Sequence, residues 1–251
     1  MKKFWIIQLW SLIVSYGASC WAADKIKICL IEYPPYMSEK LPGYGVEPSI
    51  VAAAFKLMDI DIEYNFLPPG RAFLSAKKGS YHAAVGWVWS EERAKSFYYS
   101  DSILQGKLVF FHLKSYSFKW ESYDDLKDIP IGIVVKNYYG RNFHKALDTG
   151  ILSVQEVIQD EFNFDKLLVS RIKLFPLNVH IGYYFINSKY NAEVASLFTH
   201  HPKPLKVSVY HVLFSKKIQG NKALVKVFNQ GLRKLKVNGI YQEIVDKYDL
   251  K

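Results

Sequence analysis

The chain has 251 residues and a formal charge of +10, and it is 50% hydrophobic, 22% charged and 16% aromatic. That is ordinary globular composition, enough for one large domain or two small ones. The charge is dispersed: apart from Lys77-Lys78 and Lys216-Lys217 the lysines sit singly among acids. With no basic arm and no arginine-rich helix, a nucleic-acid binder is excluded.

The N-terminus opens with Lys2 and Lys3, an apolar run from Phe4 to Val14, then small residues and Cys20-Trp21-Ala22. This is the layout of a secretory signal peptide, expected over residues 1–22 with cleavage after Ala22. The apolar run is shorter than the roughly 20 residues that span a bilayer. A lipid anchor at Cys20 is disfavoured, because Gly17 stands where such a signal carries Leu or a similar residue. The protein is therefore expected in the periplasm. Loss of two lysines takes the formal charge from +10 to 10 − 2 = +8. The mature chain keeps Cys29 alone, so it has no internal disulfide, and Cys29 is expected to be a buried strand residue.

Strands and helices then alternate. Ile26 to Ile31 reads as a strand, and Glu47-Pro48 opens a helix through Met58 with Pro at the first helical position. Ile60, Ile62, Tyr64 and Phe66 alternate with polar residues as a half-buried strand. Arg71 to Lys78 is a helix stopped by Gly79, and Ala83 to Trp89 the next strand. This β-α-β-α-β order predicts a mostly parallel sheet covered by helices. Lys107 to Leu113 is a further strand. The pattern restarts with a strand at Ile131 to Val135, helices around Phe143 to Leu147 and Phe162 to Val169, and a strand at Ile172 to Pro176. A helix at Val179 to Tyr190 and a strand at Val207 to Phe214 follow. The end is helical, with Leu224, Val227, Phe228, Gly231, Leu232 and Leu235 on one face. The sequence thus predicts an α/β chain of two units, divided near residue 113.

Several chemistries are missing. No Walker A motif occurs, and Gly43-Tyr44-Gly45 lacks the third glycine of a dinucleotide fingerprint. His200 and His201 are adjacent, which suits loop histidines better than one metal site. No G-x-S-x-G occurs, and the mature Cys sits mid-strand, so no catalytic nucleophile is assigned. The reading has no catalytic residue, no metal and no cofactor.

Three loops of the first unit follow strand C-termini: Glu32 to Tyr36, Pro68 to Arg71, and Trp87 to Arg93. In an open parallel α/β sheet, ligands bind outside those ends. The loops bring Tyr33, Tyr36, Arg71, Trp87, Trp89 and Arg93, aromatic walls with two positive forks. Ser90 reads as an N-cap, and Glu91 and Glu92 suit the first helical turn. Arg93, also in that turn, is better tolerated if it faces an anion, and guanidinium grips carboxylate with paired hydrogen bonds. Pairing with Glu91 or Glu92 explains it equally well. Alternation puts Trp87 and Trp89 on one face with Ala83 and Val85, with one of the two tryptophans in the core. Tyr33 and Tyr36 fit a ligand wall or a packed loop.

Five segments in order carry a resemblance: IEYPPYMSEKLPGYGVEPSIVAAAF, PPGRAF, GSYHAAVGWVWSEERAKSFYYSDSI, DLKDIPIGIVVKNYYG and FNQGLRKLKVNGIYQEIVDKY. They resemble the bacterial extracellular solute-binding proteins of family 3, the polar amino acid-binding type that serves ABC importers. The resemblance implies the type II periplasmic-binding-protein fold, a two-lobed flytrap with two hinge strands. Lobe 1 would be residues 23–113 and 206–251, and lobe 2 residues 114–205. It implies a monomer that binds a small carboxylate-bearing solute and meets an ABC permease or sensor, and not an enzyme. The alternative is a cyclic-acid dehydratase-like enzyme on the same scaffold. Arg93 occupies the family's carboxylate-gripping position. Tyr33 or Tyr36 would cover the ligand side chain, and Asn137 and Tyr138 lie in the matching loop of lobe 2. The chain also departs from the pattern: Val88 replaces a common Ser or Thr donor, and Asn178 stands where relatives carry an Asp for the ligand's ammonium. Asn cannot balance a buried ammonium as a carboxylate does.

Overall fold

The computed structural model describes residues 25–135 and 137–248; the expected signal peptide lies outside them. The first unit begins with β1 (Ile26–Leu30), α1 (Val46–Lys56), β2 (Ile62–Phe66), α2 (Pro69–Lys78) and β3 (Ala83–Val88). As the alternation predicts, β1 pairs in parallel with both β2 and β3. Helix α1 starts at Val46, so Pro48 is its third residue instead of its first; either place lies in the turn whose N–H groups lack helical acceptors. Gly79 ends α2 at φ 86°, a left-handed cap that suits glycine.

Two ten-residue strands tie the units together. They are β5 (Leu104–Leu113), which follows α3 (Glu91–Ser96) and β4 (Phe97–Tyr99), and β10 (Lys206–Ser215). The first half of β5 pairs antiparallel with the first half of β10. Beyond that crossing β10 continues against β3 and β4. The other end of β5 pairs with β8 (Phe175–Asn178) and β9 (Phe198–His200). One sheet, in the order β2-β1-β3-β10-β5-β8, therefore runs through both units.

The second unit adds β6 (Ile131–Val134), α4 (Arg141–Asp148), β7 (Val154–Val157), α5 (Asp160–Leu168), α6 (Val179–Lys189) and α7 (Ala192–Ala195). Strands β6 and β7 pair in parallel, and Gly132 N–H donates to Leu174 O at 2.8 Å beside β8. The chain closes with α8 (Asn221–Val237) and α9 (Ile240–Lys247), broken at Asn238-Gly239 as expected.

The cores follow the apolar faces. In the first unit Phe55 of α1 meets Phe228 of α8 at 5.0 Å between ring centres, over fully buried Ile28, Leu30 and Phe214. Each such ring contributes on the order of 2–3 kcal/mol by leaving water. On the sheet's other side Cys29 packs with Ala72, Ala76, Ala84, Phe97 and Leu213. Its thiol, in contact with the Ala72 and Ala83 carbonyl oxygens, is pushed up to about 12 by burial. It is an inert core residue.

One side-chain assignment is corrected. Trp87 packs with Ala84 and Phe97, away from the cluster that holds Ala83 and Val85. Gly86 takes φ +83°, and the β3–β10 register shifts between His211 and Leu213. A bulge of this kind moves the later side chains by one position and reverses their face. Trp89, beyond the strand end, is 60% exposed.

Candidate functional site

The loop after β1 turns back on itself, with Tyr36 and Met37 N–H both donating to Tyr33 O. This stacks the rings of Tyr33 and Tyr36, 5.6 Å apart and 16° from parallel. Tyr36 is fully buried, and its hydroxyl crosses to the second unit. It donates to Asn178 Oδ1 at 2.8 Å and lies 2.8 Å from His180 Nδ1. A hydroxyl that donates to Asn178 must accept from His180, which puts the ring proton on Nδ1. Burial pushes His180 down to about 4, aided by nearby Lys107, so the ring is neutral at pH 7.

Asn178 ends β8 and caps α6. Its Oδ1 also accepts from His180 N at 3.0 Å and Ile181 N at 3.4 Å. With the Tyr36 hydroxyl that makes three donors on one oxygen, so Asn178 has no acceptor left for a ligand. Gly106 in β5 makes room for it: a Cβ there would sit 2.6 Å from Asn178 Nδ2.

Beside this link lies a cavity of about 430 Å³. Glu32, Tyr33 and Pro34 wall it from the first unit, and Leu108 from β5. Asn137, Tyr138, Tyr139, Asp160, Pro176, Leu177, Asn178, Ile181 and Phe185 line it from the second. Tyr139 is fixed from behind, since its hydroxyl accepts from Val134 N at 2.7 Å. Among the described residues the lining carries two acids and no Lys, Arg or His.

Asp160 is the first residue of α5. Its Oδ1 is buried without a hydrogen-bond partner, and burial, with Glu161 adding to it, raises the carboxyl to about 6. Glu47, in the first turn of α1, is fully buried and pushed up to about 8 by desolvation. Its Oε2 also lacks a partner.

Four of the nine expected residues, Tyr33, Asn137, Tyr138 and Asn178, therefore line one cavity, and Tyr36 hydrogen-bonds Asn178 from outside that lining. The other four lie outside this lining. Arg71 is exposed at the start of α2. Trp87 packs on Phe73 at 5.2 Å, and Trp89 faces solvent. Arg93 donates from Nη1 to Val88 O at 2.8 Å, and its guanidinium lies 5.1 Å over the Trp87 ring. It makes no ion pair with Glu91 or Glu92; Ser90 Oγ caps its backbone N–H at 3.3 Å. His200 and His201 serve different contacts, with Tyr183 and Trp120. Sequence reasoning missed Asp160, because an acid before an apolar-periodic stretch reads as a helix start.

No curated relative matches the sequence. Among solved structures, the second substrate-binding domain of a putative amino acid ABC transporter from Streptococcus pneumoniae superposes with a TM-score of 0.73 at 19% identity. The match covers 89% of this chain and 99% of that one. Substrate-binding domain 2 of Lactococcus lactis GlnP, in an open conformation, gives 0.73 at 19% identity, covering 90% and 96%. A histidine kinase sensor domain with similarity to periplasmic binding proteins gives 0.63 at 18% identity, covering 89% and 95%. The fold is the two-lobed type II periplasmic-binding-protein fold. The sequence profile of the bacterial extracellular solute-binding proteins, family 3, matches residues 26–251, and the chain belongs to that family.

Proposed function

We propose that this chain captures a small carboxylate-bearing, amino acid-like solute between its lobes in the periplasm and presents it to an ABC permease or a sensor. It acts as a monomer, and it binds its solute without transforming it. Lobe 1 is residues 23–113 with 206–251, and lobe 2 is residues 114–205. The observation that carries this reading is the cavity of about 430 Å³, walled by loops of both units over a strand that joins them. Cavities of that size suit metabolite-sized ligands. A solute touching both walls binds the closed arrangement better than the open one and shifts the population toward it.

Arg93 supplies the carboxylate grip. The loop that holds it leaves β3 at the same sheet edge as the Tyr33 loop leaves β1, since those strands are parallel neighbours. Val88 O and the Trp87 ring hold one side of the guanidinium, and its other N–H groups have no partner among the described residues. The test is a thermal-shift and calorimetric screen of the purified mature chain against L-amino acids and organic acids. At least one should raise the melting temperature, and Arg93→Ala should weaken it by about 30-fold or more, the cost of stripping one partner from a desolvated charge pair. Undiminished binding by Arg93→Ala would remove the carboxylate grip, and a chain that answers no solute would remove the capture reading.

A further inference from the structure

The two lysine pairs that stand out in the sequence, Lys77-Lys78 and Lys216-Lys217, meet in the fold. They wall a surface groove of about 640 Å³, with Lys95 beside them and Leu74 between. Lys77 and Lys78 end α2, Lys95 lies in α3, and Lys216 and Lys217 follow β10. All five lysines are exposed, and Leu74 is 53% exposed. Among the described residues no acid lines the groove, and none of the five lysines makes an ion pair. The backbone holds the charges together. Lys216 N donates to Ser96 O at 3.0 Å, and its Nζ donates to Ala94 O at 2.6 Å. A Cβ at Gly79 would lie 3.0 Å from Lys217 Cβ. The negative end of α2 accounts for Lys77 and Lys78, but it does not account for the bases brought up from α3 and β10.

The groove lies at the end of the first unit away from the cavity. Strand β1 leads at its C-terminal end into the Tyr33 loop, and its start lies beside the lysines. Lys27 N donates to His82 Nδ1 at 3.1 Å, and His82 O accepts from Ser215 N, the residue before Lys216, at 3.0 Å. Residues 1–24, with the apolar run from Phe4 to Val14, therefore join the described chain at this end. Before cleavage the expected signal peptide would hold this end beside the membrane. A protein partner that reads closure must touch both lobes, whereas this groove belongs to the first alone.

We propose that the lysine face docks the protein on the anionic phospholipid surface of the membrane, with the Leu74 side chain entering the headgroup boundary. Basic side chains around an exposed apolar residue are the pattern of interfacial binding. The contact leaves the cavity at the other end free to open and close, and it goes beyond solute capture without depending on it.

The test is flotation of the mature chain with vesicles of phosphatidylglycerol and phosphatidylethanolamine, and with vesicles of phosphatidylcholine alone. Lys77→Gln/Lys78→Gln/Lys217→Gln is compared with Lys114→Gln/Lys119→Gln/Lys127→Gln, which removes the same charge from exposed positions of the second unit. Circular dichroism first establishes a native spectrum and cooperative melting for each. Wild type should float with the anionic vesicles only and be released as salt approaches about 1 M, where screening reaches about 3 Å. The groove variant should bind about 30-fold more weakly or worse, since each lysine near an anionic surface contributes on the order of fivefold, and the second-unit variant should stay within about threefold of wild type on the same scale. Equal losses in the two variants would make the attraction one of net charge and overturn the docking face. A wild type that floats with neither vesicle would overturn it as well. Tighter binding to poly-L-glutamate than to the anionic vesicles would assign the face to an acidic protein and overturn membrane docking. None of these outcomes bears on solute capture, which calorimetry of the same variants reads separately.

Discussion

Glu47 sits in the first turn of α1, where the helix dipole favours an anion, yet it is buried with no cation beside it among the described residues. Desolvation wins, and the carboxyl is held neutral at pH 7. The consequence for stability has a definite sign. The folded value is about 8 against an ordinary 4.5, so between those limits the native state binds more protons than the unfolded one. Stability is then fullest at the acid end of that window and is lost as pH rises through about 8. Asp160, raised to about 6, has the same sign over a lower window. Melting temperatures at pH 5, 6, 7 and 8 should therefore fall more steeply for wild type than for Glu47→Gln, which cannot titrate. The difference accumulated by pH 8 should be on the order of a few kcal/mol; parallel profiles would contradict the buried, neutral Glu47. Single residues were unevenly legible. Ser90 as a cap and Cys29 as a core thiol followed from local pattern, because each answers to its own strand or helix. Asp160 did not, because only the three-dimensional cavity distinguishes an acid that lines a cleft from one that starts a helix.

The loop after β1 and the start of α6 are joined by Tyr36, Asn178 and His180, and that link spans 142 residues of sequence. Tyr36→Phe keeps the ring and removes the hydroxyl, leaving His180 Nδ1–H without its acceptor and Asn178 Oδ1 with two donors instead of three. The expected cost is about 1–2 kcal/mol in urea unfolding. A neutral result would mean that the two elements are held by ring packing alone. The long periodic elements were legible: β1, α2, β3, β5, α6, β10, α8 and α9 fall close to where alternation and helical spacing put them. Strands β4, β7 and β9 and helix α7, three or four residues each, were not, since so short a segment shows no period; β6, equally short, was read from its unbroken apolar run Ile131–Val134. Strand β3 shows a subtler failure. Its alternation is plain in the sequence, but the positive φ of Gly86 and the register shift at that point of the strand reset the face on which Trp87 packs. A pattern cannot reveal where its own phase breaks.

At the scale of the molecule, two long strands carry one sheet through both units, and the cavity lies beside that crossing. The cavity walls therefore come from different units, Tyr33 and Pro34 on one side and Asn137, Tyr138 and Asp160 on the other. The two-unit α/β plan was legible from the repeated strand-helix order and from the five ordered segments. The pairing of β5 with β10 was not, because it joins strands about a hundred residues apart that share no motif. The central claim is that a small solute occupies this cavity. Native mass spectrometry of the gently purified mature chain, recorded beside Asn137→Trp, tests it most directly. Asn137 is exposed and lines the cavity, so an indole there blocks the space without disturbing a core. The account predicts a small-molecule adduct on the wild type, released on denaturation and absent from Asn137→Trp. An adduct that persists on the blocked variant, or a wild-type mass that stays bare whatever amino acid, amine or organic acid is offered, would contradict it.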